Sequence, residues 1–287
     1  MHSFSQRLKN ISGNILSLLG DDLYPSAELL VVNYHGTPKK FIPEFMKQLE
    51  YLNRMFTVIG PQDLLNYYSG KRIESNKPLL LLTFDDGIKN NLRAADVLEK
   101  RNQKAFYFVI PGFIEAAPGE QKSFFRANIR PSFNEKLFDA EDDLIPMSWS
   151  DLSSLSSSGN SIGSHTYTHT LVAGSSSEEN STREIAGSKE IIERKINRMA
   201  DSFCSINNTL LSVGKKEMQI IRENYQFHFT TIPGSNFSGK DRYFIRRVNI
   251  ETHWLPGALK YALGKTDRLR WARKERLFRA ISDDKRP

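Results

Sequence analysis

The chain has 287 residues, 39% hydrophobic and 11% aromatic, with 40 Lys and Arg against 33 Asp and Glu, a formal net charge of +7 at pH 7. That length and apolar content suit one large or two small globular domains and exclude a disordered chain. A lone cysteine, Cys204, excludes an intramolecular disulfide and any multi-cysteine metal site, and no apolar run is long enough to span a bilayer.

Taken in chain order, Phe4, Leu8, Ile11, Ile15 and Leu19 recur at helical spacing with Arg7 and Lys9 off the stripe. This predicts an amphipathic helix over residues 1–20 that docks on the body. "ELLVVNY" (28–34) reads as a buried strand and "PEFMKQLEYLN" (43–53) as an amphipathic helix. "FTVIG" (56–60) is a short strand, and "PQDLLNYYSG" (61–70) is a helix opened by proline and closed by glycine. "PLLLLTF" (78–84) is the continuous apolar run expected of a parallel strand covered on both faces. A helix near 88–101 and the strand "AFYFVI" (105–110) follow.

Residues 111–147 interrupt the rhythm with glycine, proline, charge and several phenylalanines, the mark of a lid or binding loop. Beyond it come a helix over "WSDLSSLSSSG" (149–159), a strand at "NSIGSH" (160–165) and a polar helix over roughly 179–200. "SFCSI" (202–206), a helix near 214–224, "FHFTT" (227–231) and "YFIRRVNI" (243–250) complete the pattern. The alternation predicts an α/β fold with a mostly parallel sheet, open or closed into a barrel.

Charge is concentrated at one end. Residues 260–287 hold ten basic and four acidic side chains, so +6 of the net charge lies there and the rest is close to neutral. The basic helix "RLRWARKERLFRAI" (268–281) with Trp271, Phe278 and Ile281 suits either docking on the body or peripheral attachment to an anionic membrane. The expected division is therefore a helix at 1–20, a catalytic domain at 21–258 and a basic tail at 259–287. The N-terminus lacks the pattern of a signal peptide, which makes a cytoplasmic protein, peripheral at the inner membrane through its tail, the expectation.

Three strand ends carry the residues that could do chemistry. His35 follows "LLVVNY", Asp85 and Asp86 follow "PLLLLTF", and His165 follows "NSIGS", with His169 four residues further on in "GSHTYTHT". Singly, these features are a turn with a helix N-cap and structural histidines. Together they lie where the C-terminal ends of parallel strands converge and where sites are built. Two histidines and a carboxylate form a common ligand set for zinc or a similar divalent ion. With adjacent aspartates, one can bind the ion while its neighbour accepts a proton.

"TFDDG" (83–87), "SHTYTH" (164–169) and the stretch "MSWSDLSSLSSSGNSIGSHT" leading into the latter closely resemble the polysaccharide deacetylase family, carbohydrate esterase family four, over about residues 28–250. The resemblance implies a metal-dependent N-deacetylase on a deformed, incomplete (β/α) barrel of the polysaccharide deacetylase type. It implies Asp85 as general base and Asp86, His165 and His169 as metal ligands. "NYHG" (33–36) resembles the permuted members that deacetylate poly-N-acetylglucosamine, which implies His35 as general acid. A supporting arginine would be Arg246 or Arg247, from "FIRRVNI". The family's Pro-Tyr-Gly or Pro-Asn-Gly sequence is replaced here by "FCSINNTL" (203–210), where a backbone donor to an oxyanion would fall near Asn207. Trp149 and Tyr167 are read as sugar-stacking or packing aromatics, and His228 and His253 as structural.

The expected substrate is an N-acetylated amino sugar in a polysaccharide, oligosaccharide or lipid-linked glycan, with zinc the first expectation for the metal. The alternatives are a degenerate relative that binds glycans without turnover, and a nucleic-acid-binding protein using the basic tail. The second leaves the metal constellation unexplained, and no nucleic-acid partner is expected.

Overall fold

A computed structural model describes residues 29–129, 141–170, 177–206 and 213–264. The helix expected at 1–20, Asn207 and the basic helix at 268–281 lie outside the described residues.

Nine strands form one sheet among the described residues. They are β1 (Leu29–Tyr34), β2 (Thr57–Ile59), β3 (Leu79–Phe84), β4 (Phe106–Val109), β5 (Ser161–Ser164), β6 (Ser202–Cys204), β7 (Phe227–Phe229), β8 (Ser235–Asn236) and β9 (Val248–Asn249). The order along the sheet is β7-β6-β5-β4-β3-β1-β8. All pairings are parallel except that of β8 with β1. β3 is the hub: β1 runs along one edge, while β2 takes the lower half and β4 the upper end of the other.

The leucine runs are apolar throughout because both faces are covered. Leu30, Val32, Tyr34, Leu80, Leu82 and Phe84 face an outer layer of helices, where α1 (Ile42–Met55) supplies Phe45, Leu49 and Leu52. The same layer holds α3 (Asn91–Glu99), α4 (Trp149–Ser157) and α5 (Ser188–Ile196), whereas α2 (Pro61–Tyr68) packs Leu64 and Tyr67 with the residues of the opposite strand face. Leu29, Val31, Leu79, Leu81, Phe106 and Phe108 alternate to the inner face and fill the barrel with Phe227, Phe229 and Ile245. Towards the C-terminal mouth this inner row becomes polar, through Asn33, Thr83 and Asp85, all buried.

The strand expected over 243–250 is broken, because this segment spans the gap between the two ends of the curled sheet. Ile245 bridges to Phe229 of β7, whereas Val248 and Asn249 pair with Val32 and Asn33 of β1. Between them the Arg246 N–H donates to Asn236 Oδ1 and the Arg247 N–H to the Ile232 carbonyl. The result is an incomplete barrel with an irregular seam.

Two other expectations shift. The polar helix expected to 200 ends at Ile196 and contains a π turn over Arg183–Gly187; Asn197 then stops it with φ 51°. After α6 (Lys215–Asn224), α7 (Pro256–Leu263) crosses the boundary expected at 258, and Leu259 and Leu263 sit in the core. The insertion expected as a loop has a small core of its own, in which Phe113, Phe125 and Ile129 pack with Ile88 and Ile110. This brings Asn128 and Ile129 to the mouth of the barrel.

Candidate active site

A cavity of about 260 Å³ opens at the C-terminal mouth, lined by Asn33, His35, Asp85, Asp86, Ile129, His165, His169, Thr231, Asn249 and Glu251. Five of these are the residues picked from the strand ends of the sequence.

Asp86, His165 and His169 converge. Nε2 of His165 lies 3.7 Å and Nε2 of His169 lies 3.6 Å from Asp86 Oδ1. The ring orientations are fixed from behind. Nδ1 of His165 donates to the Cys204 carbonyl at 2.9 Å, and Nδ1 of His169 donates to the Asn128 carbonyl at 2.7 Å. A carbonyl only accepts, so each Nδ1 carries a proton and each Nε2 is turned towards the carboxylate. Burial holds the His165 pKa down at about 4, against the pull of Asp85, so the ring is neutral near pH 7. One carboxylate and two imidazoles, with ligand atoms within 4.8 Å of one another, suit a zinc-like divalent cation.

The backbone is shaped to aim these groups. Asp86, Gly87, Thr166 and His169 all have left-handed φ, at 70°, 63°, 64° and 62°. Such conformations persist only where surroundings enforce them, and they cluster at functional sites. Gly112 donates its N–H to the Tyr167 carbonyl at 2.8 Å, and a Cβ there would stand 2.7 Å from that oxygen. The insertion therefore approaches the histidine loop as closely as backbone allows.

Asp85 turns away from the triad to a different partner. Arg247 Nη1 donates to its Oδ1 at 2.6 Å and Nη2 to its Oδ2 at 2.9 Å. Burial alone would raise the carboxyl pKa, but Arg247, His165 and His35 outweigh it and hold it at about 2. The guanidinium also donates to the Thr230 carbonyl, Thr83 Oγ1 and Cys204 Sγ. Of the two arginines left open by the sequence, Arg247 is thus the one at the site; Arg246 lies over the Phe244 ring. Cys204 shares the buried cluster with Asp85 and His165, but burial pushes its thiol pKa up, so it stays protonated.

His35 faces Glu251, with 3.1 Å between Nδ1 and Oε1, both side chains partly buried. Gln48 of α1 fixes this stretch by donating to the carbonyls of Glu251, Thr252 and Trp254. A period-two pattern emerges along the seam: Arg247 meets Asp85, Asn249 meets Asn33 and Glu251 meets His35. Asn33 also donates to Asp85 Oδ2 at 3.3 Å.

Glu251, Asn249, Asn33 and Thr231 were missed in the sequence. Asn33 precedes His35 by two residues on one strand face, and 249 and 251 continue the face of Arg247, so alternation could have found three of them. Trp149 is not brought to the cavity: its Nε1 donates to Glu115 and Lys195 lies over its ring. Tyr167 lies beneath the Arg183 guanidinium, and His228 is buried with Nδ1 donating to the Tyr243 carbonyl.

Fold and site define a class, an incomplete (β/α) barrel with its polar groups at the C-terminal mouth. The polysaccharide deacetylase family model matches residues 72–206. No curated protein sequence matches the chain. Among solved structures, IcaB from Ammonifex degensii is similar at 20% identity and a TM-score of 0.60, covering 83% of this chain and 98% of that one. The deacetylase PplD of Streptococcus pyogenes, in complex with acetate, gives 18% identity and 0.59, covering 82% and 96%. The BpsB deacetylase domain of Bordetella bronchiseptica gives 18% and 0.58, covering 78% and 96%. At these identities the likeness establishes the fold. The family model adds a resemblance to polysaccharide deacetylases over the segment that carries Asp85, Asp86, His165 and His169.

Proposed function

We propose that the protein is a divalent-metal-dependent N-deacetylase that hydrolyses the acetamide of an N-acetylated amino sugar within a glycan. The observation that carries this reading is the convergence of Asp86, His165 and His169 beside Asp85, with His35 lining the same cavity. Asp86, His165 and His169 would hold the metal, zinc being the first choice for this donor set. When bound, a divalent ion supplies Lewis-acid polarisation of the amide carbonyl and makes water more acidic.

The chain's own residues supply the proton traffic. Asp85, kept ionised by Arg247, accepts a proton from the attacking water. His35, in its protonated form, is stabilised by the Glu251 carboxylate and delivers a proton to the departing sugar nitrogen. One water is consumed as the amide C–N bond breaks, leaving acetate and a free amine. Asn33 and Asn249 lie between the two proton-handling groups and keep the spacing between them. The basic tail at 260–287 would hold the enzyme against an anionic membrane surface; flotation with anionic vesicles that is unchanged by deleting the tail would refute this.

The test is acetate release from N-acetylglucosamine oligomers by metal-loaded and chelator-stripped protein, with Asp85→Asn alongside. Metal-dependent release that disappears in the variant is the expected result. No release from folded, metal-loaded protein would favour a different acylated sugar or a binding-only relative.

A further inference from the structure

The helix behind the histidine loop is interrupted by its π turn, Arg183–Gly187, between an α-helical turn at Glu178–Thr182 and α5. A π turn adds one residue to the helical repeat, re-aims the side chains around it and concentrates at functional sites. Here two consecutive residues of the turn grip two consecutive residues of the loop between His165 and His169. The Arg183 guanidinium lies 4.9 Å from the centroid of the Tyr167 ring. Glu184, only 2% exposed, accepts from the Thr168 N–H at 2.8 Å and from the Thr168 hydroxyl at 2.8 Å.

A buried carboxylate is costly to desolvate and is retained where its hydrogen bonds matter. Ile185, its neighbour in the turn, already fills the core, so Glu184 is not needed for packing there. The residue after Thr168 is His169, whose φ of 62° is unfavourable for a residue with a β-carbon. Something must impose that conformation, and the two bonds that Glu184 accepts hold Thr168, the residue that leads into it, by its N–H and its hydroxyl.

We propose that Glu184, aimed by the π turn, is a positioning residue for the metal site. It fixes the Thr168–His169 backbone so that His169 Nε2 faces Asp86 across 3.6 Å. This rests on the reading of Asp86, His165 and His169 as metal ligands. A purely structural staple between helix and loop would affect folding without affecting the metal, and that difference makes the proposal testable.

The experiment measures Zn2+ affinity of the full chain by competition with a chromophoric chelator, and the visible absorption bands of the Co2+-loaded protein. Thermal unfolding of the metal-free protein is recorded in parallel. Glu184→Ala is expected to weaken Zn2+ binding by about 10- to 100-fold, the usual effect of losing a group that orients a ligand, and to change the Co2+ bands. Glu184→Gln keeps an acceptor oxygen for the Thr168 N–H and is expected to recover most of the affinity. Thr168→Val removes the hydroxyl's bonds to Glu184 and to Thr170 Oγ1 on a partly buried residue while keeping the Thr168 N–H bond to Glu184, and is expected to fold and show an intermediate loss. If Glu184→Ala fails to fold, Thr168→Val decides. Variants that lose melting temperature but bind Zn2+ as the parent does would overturn the proposal alone. A parent chain that binds neither Zn2+ nor Co2+ would overturn the metal reading and this proposal with it.

Discussion

Arg247 clasps Asp85 with both terminal nitrogens of its guanidinium, at 2.6 and 2.9 Å, and both side chains are buried. The pair ties the seam to the end of β3, two segments 162 residues apart in sequence. Removing one partner of a buried pair leaves the other charged and desolvated, at a cost of about 3–5 kcal/mol. Arg247→Met should therefore destabilise the metal-free protein by roughly that amount, read from urea unfolding. Arg247→Lys keeps the charge but cannot form the fork, and should fall between the two. A stability of Arg247→Met equal to that of the parent would show that the pair contributes nothing net.

Buried ionisable groups also set how stability follows pH. His165 and His228 are both held at about 4, mainly by burial, against an ordinary value of 6.5. Their folded pKa values are depressed, so the unfolded chain binds more protons between those limits and stability falls as pH drops from 6.5 towards 4. Asp85, at about 2 against 3.8, then contributes a further loss below 3.8 as its pH window is crossed. Urea midpoints of metal-free protein across this range should show both declines. Asp85→Asn should lack the lower one, and His228→Gln should show a shallower upper one. A flat profile between pH 6.5 and 4 would contradict the burial of the two histidines.

Under the proposed function, the proton-accepting and metal-holding roles belong to different neighbours. Asp86→Asn should lose most divalent-ion affinity, since Asp86 is the anionic member of the triad. Asp85→Asn should keep that affinity, because Asp85 faces Arg247, yet should lose turnover. Metal content after dialysis and acetate release, measured on the same preparations, distinguish them. If both variants lost metal equally, the two aspartates would be acting as one ligand unit.

Much of this site was legible because strand ends carry it. The leucine runs fixed where β1 and β3 stop, and the residues just past them, His35, Asp85 and Asp86, line the cavity. What stayed hidden depends on pairing between distant segments. Arg247 and Arg246 are adjacent in sequence, and only the crossing from β7 to β1 decides which one turns inward. Glu184 was unreadable for another reason: a π turn shifts the register of an otherwise ordinary polar helix, so helical periodicity places the side chain on the wrong face. Trp149, read from the sequence as a sugar-stacking or packing aromatic, anchors α4 to Glu115.

The last prediction concerns His35 and Glu251, whose side chains meet at 3.1 Å. A carboxylate beside an imidazole favours its protonated form, which is the form needed to protonate a leaving amine. Neutralising the partner by Glu251→Gln should leave divalent-ion affinity unchanged, because Glu251 is not in the triad. It should lower kcat and move the basic limb of the pH–rate profile to lower pH, since His35 would lose its proton more readily. His35→Gln should remove that limb and reduce kcat by about 10²- to 10⁴-fold, the usual contribution of a general acid. The profile is the decisive readout. A basic limb that stays in place in both variants would remove His35 from the proton-donating role and leave its pairing with Glu251 as a brace for the seam.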